Sequence, residues 1–99
     1  MVLLITPSKA QEKLRENVRL QRLNRALTQE GLAERSGVPL PTLRKFEQKG
    51  MISLESFLKL QMVVGDLKAI LKATEPLFSS IDEVLDTNKP PIRKRGRRK

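Results

Sequence analysis

The chain has 99 residues, 38% of them hydrophobic and 31% charged, and a net charge of +9. That length allows one domain whose core is marginal by itself, so self-association would serve stability as well as function. Cysteine, histidine, tyrosine and tryptophan are all absent, which excludes a disulfide framework and removes the commonest general base and the usual nitrogen and thiolate metal ligands.

Met1 to Ile5 is a short apolar, β-favouring run with no basic segment ahead of it, and it meets Thr6-Pro7 directly. No signal peptide and no membrane span are expected. Residues 1–7 read as an N-terminal arm that either pairs with a symmetry mate, lies against the domain, or frays. A first helix starts at Thr6-Pro7-Ser8, with Ser8 and Gln11 at capping-box spacing. Leu14, Val18 and Gln21 line one side of it, and Leu20, Leu23 and Leu27 form a second apolar line. Arg15, Arg19 and Arg25 are expected on a solvated or phosphate-facing surface.

The next stretch, residues 28–48, reads as two short helices joined at Gly37. Thr28 caps the first, Gly37 ends it in a left-handed conformation, and Leu32, Ala33, Ser36, Val38, Leu43 and Phe46 turn inward. Thr42, Arg44, Lys45 and Gln48 point outward, with Leu40 and Pro41 at the leading end of the second helix. Gly50 stops that helix. Ser53 caps the next, in which Leu54, Phe57, Leu58, Leu60, Met62, Val63 and Val64 leave almost no polar side, so it must be covered on more than one face. Asp66 opens a short helix with Leu67, Ile70 and Leu71 inward. Ser80 and Glu83 then begin a last amphipathic helix carrying Ile81, Val84 and Leu85. A linker through Lys89-Pro90-Pro91 leads to a basic tail too charged to fold alone.

Charge follows the same division. Residues 89–99 hold seven basic residues and no acid, against 13 basic and 11 acidic in residues 1–88. A nearly neutral body with a polycationic end points to a polyanion, most simply nucleic acid.

The motif resembles the Xre/Cro/CI family of bacterial and phage helix-turn-helix regulators. The likeness extends to Leu14, Asn17, Val18 and Arg22 before it, and to Ser53-Leu54-Glu55, Phe57, Leu60 and Gly65 after it. The resemblance implies an all-α, five- or six-helix lambda-repressor-like domain over residues 8–87, with the arm at 1–7 and a disordered basic tail at 88–99. It also implies a structural ion pair between Arg22 and Glu47, and a Gln29 that clamps the DNA backbone. Gln21 departs from the family, which usually has an aliphatic residue there. Pro39-Leu40-Pro41 also departs, replacing the polar readers at the leading end of the recognition helix. Leu40 is expected to cap that helix and Pro41 to begin it.

On this reading Leu40, Pro41, Thr42, Arg44 and Lys45 face the bases. Arg44 offers guanine a two-pronged donor, and Leu40 packs against a thymine methyl. Phosphate contacts fall to Gln29, Arg25, Arg35 and Lys49, with Arg93, Lys94, Arg95, Arg97 and Arg98 of the tail contributing or else serving a protein partner or solubility. Phe57, Leu60, Val64, Ile81, Val84 and Leu85 belong either to the core or to a dimer interface. No catalytic residue, metal or cofactor is expected. The function implied is a cytoplasmic, nucleoid-associated homodimeric repressor on a palindromic double-stranded DNA operator. Its size and layout resemble a HipB-type antitoxin, partner of a HipA-like kinase toxin. A stand-alone phage or mobile-element repressor is the alternative within the class, and a protein-interaction adaptor without DNA binding is the alternative outside it.

Overall fold

The computed structural model describes residues 4–76, and every regular element among them is α-helical. The helices are α1 (Pro7–Asn24), α2 (Gln29–Ser36), α3 (Leu40–Lys49), α4 (Leu54–Val64) and α5 (Leu67–Ala73). The chain divides into two units within α5, and the first, ending at Ala69, holds the motif and its core. The last helix expected from sequence, with Ile81, Val84 and Leu85, and the basic tail lie outside the described residues.

Local chemistry sets each helix end. Thr6, not Ser8, caps α1: its Oγ1 accepts from the Lys9 amide at 3.2 Å, and Pro7 takes the first helical position, where no amide is needed. The expected Ser8–Gln11 box therefore lies two residues too far along, inside the helix. Thr28 and Ser53 cap α2 and α4 in the same manner, accepting from Gly31 and Ser56. Gly37 and Gly50 end α2 and α3 with φ of 81° and 79°, a region costly for any side chain. At Gly50 a Cβ would also press to 3.2 Å from the Gln11 carbonyl oxygen of α1.

The core of the first unit is Val18, Leu32, Val38, Leu43, Phe46, Leu60 and Val64, all buried. Leu27, Ala33, Ile52, Phe57 and Val63 pack around them. Phe46 and Phe57 meet edge to face, with ring centroids 6.1 Å apart. One residue from α1, the inward faces of α2 and α3, and one side of α4 thus enclose a single apolar centre. Each fully buried aliphatic or aromatic side chain there contributes on the order of 1.5–3 kcal/mol.

Three apolar assignments differ from the sequence reading. Leu14 is largely exposed. Leu20 and Leu23 of the second α1 line are exposed among the described residues, while Leu27 reaches the core, and the C-terminal helix that line could meet lies outside the described residues. Leu71 of α5 is exposed, not inward. On α4, Leu54 and Met62 are exposed, so within the described residues that helix is covered on one side. Gln21 meets a matching group: Gln61 of α4, itself buried, donates from Nε2 to Gln21 Oε1 at 2.8 Å. A polar residue in an apolar register is tolerated because its partner satisfies it.

Candidate nucleic-acid interface

The outward face of α3 is only as useful as the rigidity behind it, and that rigidity comes from a buried polar network. Arg22 of α1 donates through Nε and Nη2 to the two carboxylate oxygens of Glu47 on α3, at 2.8 and 2.9 Å. Both side chains are nearly sealed from solvent, at 9% and 5% exposure. The remaining guanidinium arm, Nη1, donates to the Leu27 carbonyl at 3.0 Å, just before α2. Gln29, the first residue of α2, donates from Nε2 to Glu47 Oε1 at 2.9 Å. One carboxylate thereby joins α1, α2 and α3 through a two-pronged arginine bond and an amide. Burial by itself would push the Glu47 carboxyl up. The hydrogen bonds from Arg22 and Gln29, with the charges of Arg22 and Arg19, outweigh it and hold the group below its ordinary value.

Further contacts fix the C-terminal end of α3. Arg15 Nη1 donates to the Glu47 carbonyl at 3.0 Å, and Gln11 Nε2 donates to the Gly50 carbonyl at 3.3 Å. A cation at the negative end of a helix is favourable, so Arg15 stabilises α3 by charge as well as by hydrogen bonding. Arg15 is thus a structural residue rather than part of a solvated surface. A signal for this lay in the sequence: Gln11, Arg15, Val18 and Arg22 follow one face of α1 at helical spacing.

Ahead of α2 the chain turns through Ala26, the one described non-glycine residue with positive φ, at 56°. That turn places the Leu27 amide on the Arg22 carbonyl at 3.1 Å and the Leu27 carbonyl on Arg22 Nη1. A left-handed alanine costs about 1–2 kcal/mol, which the doubly anchored Leu27 offsets.

With Leu43, Phe46 and Glu47 facing inward, α3 leaves Pro41, Arg44, Lys45, Gln48 and Lys49 exposed and Leu40 and Thr42 half-buried. The helix begins one residue earlier than its prolines suggest. Pro39 is the N-cap, Leu40 the first helical residue and Pro41 the second, and no side chain caps the end. Between Pro39 and Pro41 the only amide is that of Leu40, so this end is poor in donors. Polar groups begin at Thr42. Arg44 is engaged: its Nη2 donates to Glu30 Oε2 of α2 at 3.4 Å, with the two side chains 49% and 65% exposed.

The other cations sit at helix ends. Lys49 ends α3 and Arg35 lies in the last turn of α2, both exposed. Arg25 caps α1 and turns its Nε to the Val64 carbonyl at 3.3 Å, at the end of α4. Gln29 keeps a second amide hydrogen beyond the one given to Glu47. The tail residues Arg93, Lys94, Arg95, Arg97 and Arg98 lie outside the described residues. Nothing in the sequence pattern marks Glu30, whose partner lies 14 residues away on another helix. Among the described residues no helix is long and apolar enough to cross a membrane.

Comparison with known proteins agrees with this geometry. The family model described as Helix-turn-helix matches residues 18–65, from the middle of α1 to the end of α4. No curated protein and no solved structure matches the chain. Residues 18–65 are a helix-turn-helix domain of the Xre/Cro/CI type, a family of DNA-binding transcriptional regulators.

Proposed function

We propose that the protein is a transcriptional repressor that binds a palindromic operator as a homodimer, with the outward side of α3 in the major groove. The observation that carries this reading is the contrast within α3 itself. One face is locked by Glu47, Leu43 and Phe46, while Arg44, Lys45 and Thr42 occupy the other. A rigid helix with free donors on one side suits a groove about 12 Å wide. Arg44 is the principal base reader, since the leading end offers little beyond Leu40 and Pro41 for apolar contact. Gln29, Arg25, Arg35 and Lys49 position the domain on phosphates, and the basic tail adds salt-sensitive affinity.

Leu20 and Leu23, each 46% exposed, and Met62 provide apolar surface that a second copy would cover. Two-fold pairing would space the reading helices by about 34 Å, one turn of DNA. Within the family we favour an autoregulating antitoxin of the HipB type, which represses its own operon and holds a HipA-like kinase. A mobility-shift assay on the gene's own promoter tests the reading. The expected result is an operator-specific shift that survives moderate salt, and its absence would favour an adaptor that uses the same fold to bind protein.

A further inference from the structure

The Glu30–Arg44 contact contributes little to the stability of the domain and works against phosphate binding. Both side chains are exposed and 3.4 Å apart, so the pair adds little to folding. Glu30 also places a negative charge beside the face that would meet DNA, where an acid weakens any phosphate contact nearby. Its position in the first turn of α2 suits the helix dipole. The dipole would accept an acid at any first-turn position, however, and does not account for contact with the outward arginine of α3.

We infer that Glu30 is a positioning residue that makes Arg44 read bases rather than phosphates. A free guanidinium beside DNA can take two anionic phosphate oxygens as readily as the O6 and N7 of guanine, and the first choice carries no sequence information. With Glu30 on Nη2 the pair is neutral overall, so Coulomb attraction to the sugar–phosphate chain largely cancels. Four N–H groups of Arg44 remain for directional bonds. The carboxylate also limits the side chain's rotation, so less freedom is lost when a guanine is met. Two features make this control consequential. The Pro39-Leu40-Pro41 end supplies few donors, leaving Arg44 as the main polar reader. The start of α2 is itself fixed to Glu47 through Gln29, next to Glu30, which holds the carboxylate's backbone in place.

The inference rests on the DNA-reading assignment, and one binding series separates the two. Duplexes are first recovered by the parent protein from a random-sequence pool. The parent, Glu30→Gln and Glu34→Gln are then titrated on the best duplex, on the same duplex with each guanine in turn replaced by 7-deazaguanine, and on an unrelated duplex. For the parent, one 7-deazaguanine position weakens binding by roughly 2- to 12-fold, about half in free energy of what a two-pronged arginine contact supplies, because N7 is lost while O6 remains. Glu30→Gln binds the unrelated duplex more tightly, its slope of log affinity against log salt steepens by about one, and its 7-deazaguanine penalty shrinks toward none. Glu34→Gln removes the same charge one turn further along α2 and leaves that penalty unchanged. If Glu30→Gln keeps both the parent's penalty and its salt slope, whether or not its melting temperature falls, Glu30 serves the helix dipole alone and the inference is overturned. If the parent recovers no preferred sequence, the DNA-reading assignment fails, and this inference with it.

Discussion

Two arginine–glutamate pairs lie within one small domain and do opposite work. Arg22 and Glu47 meet at 2.8 Å with under a tenth of either side chain exposed, and every arm of the guanidinium is used. Arg44 and Glu30 meet at 3.4 Å, each about half exposed or more. The residue types are the same, and solvent makes the difference. In the sealed pair both charges have left water, so losing one partner strands the other, and the bond becomes a condition of the fold. In the open pair water replaces either partner at little cost, so the arginine remains available to a ligand. An ion pair belongs to structure or to recognition according to what breaking it leaves behind.

The largest test of that contrast is Glu47→Ala. It leaves Arg22 buried without a counter-charge and frees Gln29, and is expected to cost about 3–5 kcal/mol, as broken buried pairs do. For a domain this small that is most of its stability, so urea denaturation or thermal melting by circular dichroism should show a largely unfolded chain. The same pair gives a pH dependence. The folded Glu47 carboxyl titrates below its ordinary value of 4.5. Its contribution is therefore complete above that value and is lost as pH falls toward and through the lower folded value. Melting temperature measured from neutral pH downward should decline over that window. Glu47→Gln, though less stable throughout, should lack this part of the decline.

The exposed pair predicts a different pattern. Arg44→Ala should leave stability within about 0.5 kcal/mol of the parent while removing roughly 1–3 kcal/mol of discrimination at one base pair of the operator. Equal loss of affinity for all duplexes would instead make Arg44 a phosphate contact. A smaller effect is expected at the turn that serves the buried pair. Ala26→Gly relieves a left-handed alanine and should stabilise the domain by about 1 kcal/mol, partly offset by the greater freedom of glycine in the unfolded chain. The smallest concerns Glu30→Gln, which breaks the same exposed pair and should shift stability by no more than about 0.5 kcal/mol.

Most of the helical architecture was legible because it depends on local rules. Thr28 and Ser53 as caps, Gly37 and Gly50 as stops, and the inward set of Leu32, Val38, Leu43 and Phe46 each follow from residue type and spacing. What escaped the sequence involved competition or distance. At α1 two candidates on either side of Pro7 compete for the cap, and Thr6 prevails because proline fits best directly after the cap. The proline spacing predicts Pro41 as the first helical residue, yet Leu40 precedes it in the helix. Leu20 and Leu23 satisfy an apolar periodicity without being covered in the described unit, since periodicity states that a face exists and not that something lies upon it. The contacts of Gln11, Arg15, Gln21 and Glu30 join residues 14 to 40 apart, and only the packed helices bring them together.

The central claim is that the open face of α3 reads base edges from a frame fixed by the sealed pair. Selection from a random-sequence duplex pool, run in parallel with the parent and Arg44→Ala, addresses it most directly. The account predicts a two-fold symmetric site from the parent, with a guanine at matching positions of both halves, and relaxed preference at those positions for the variant. Recovery of no preferred sequence by the parent, or of an unchanged guanine by the variant, would contradict it.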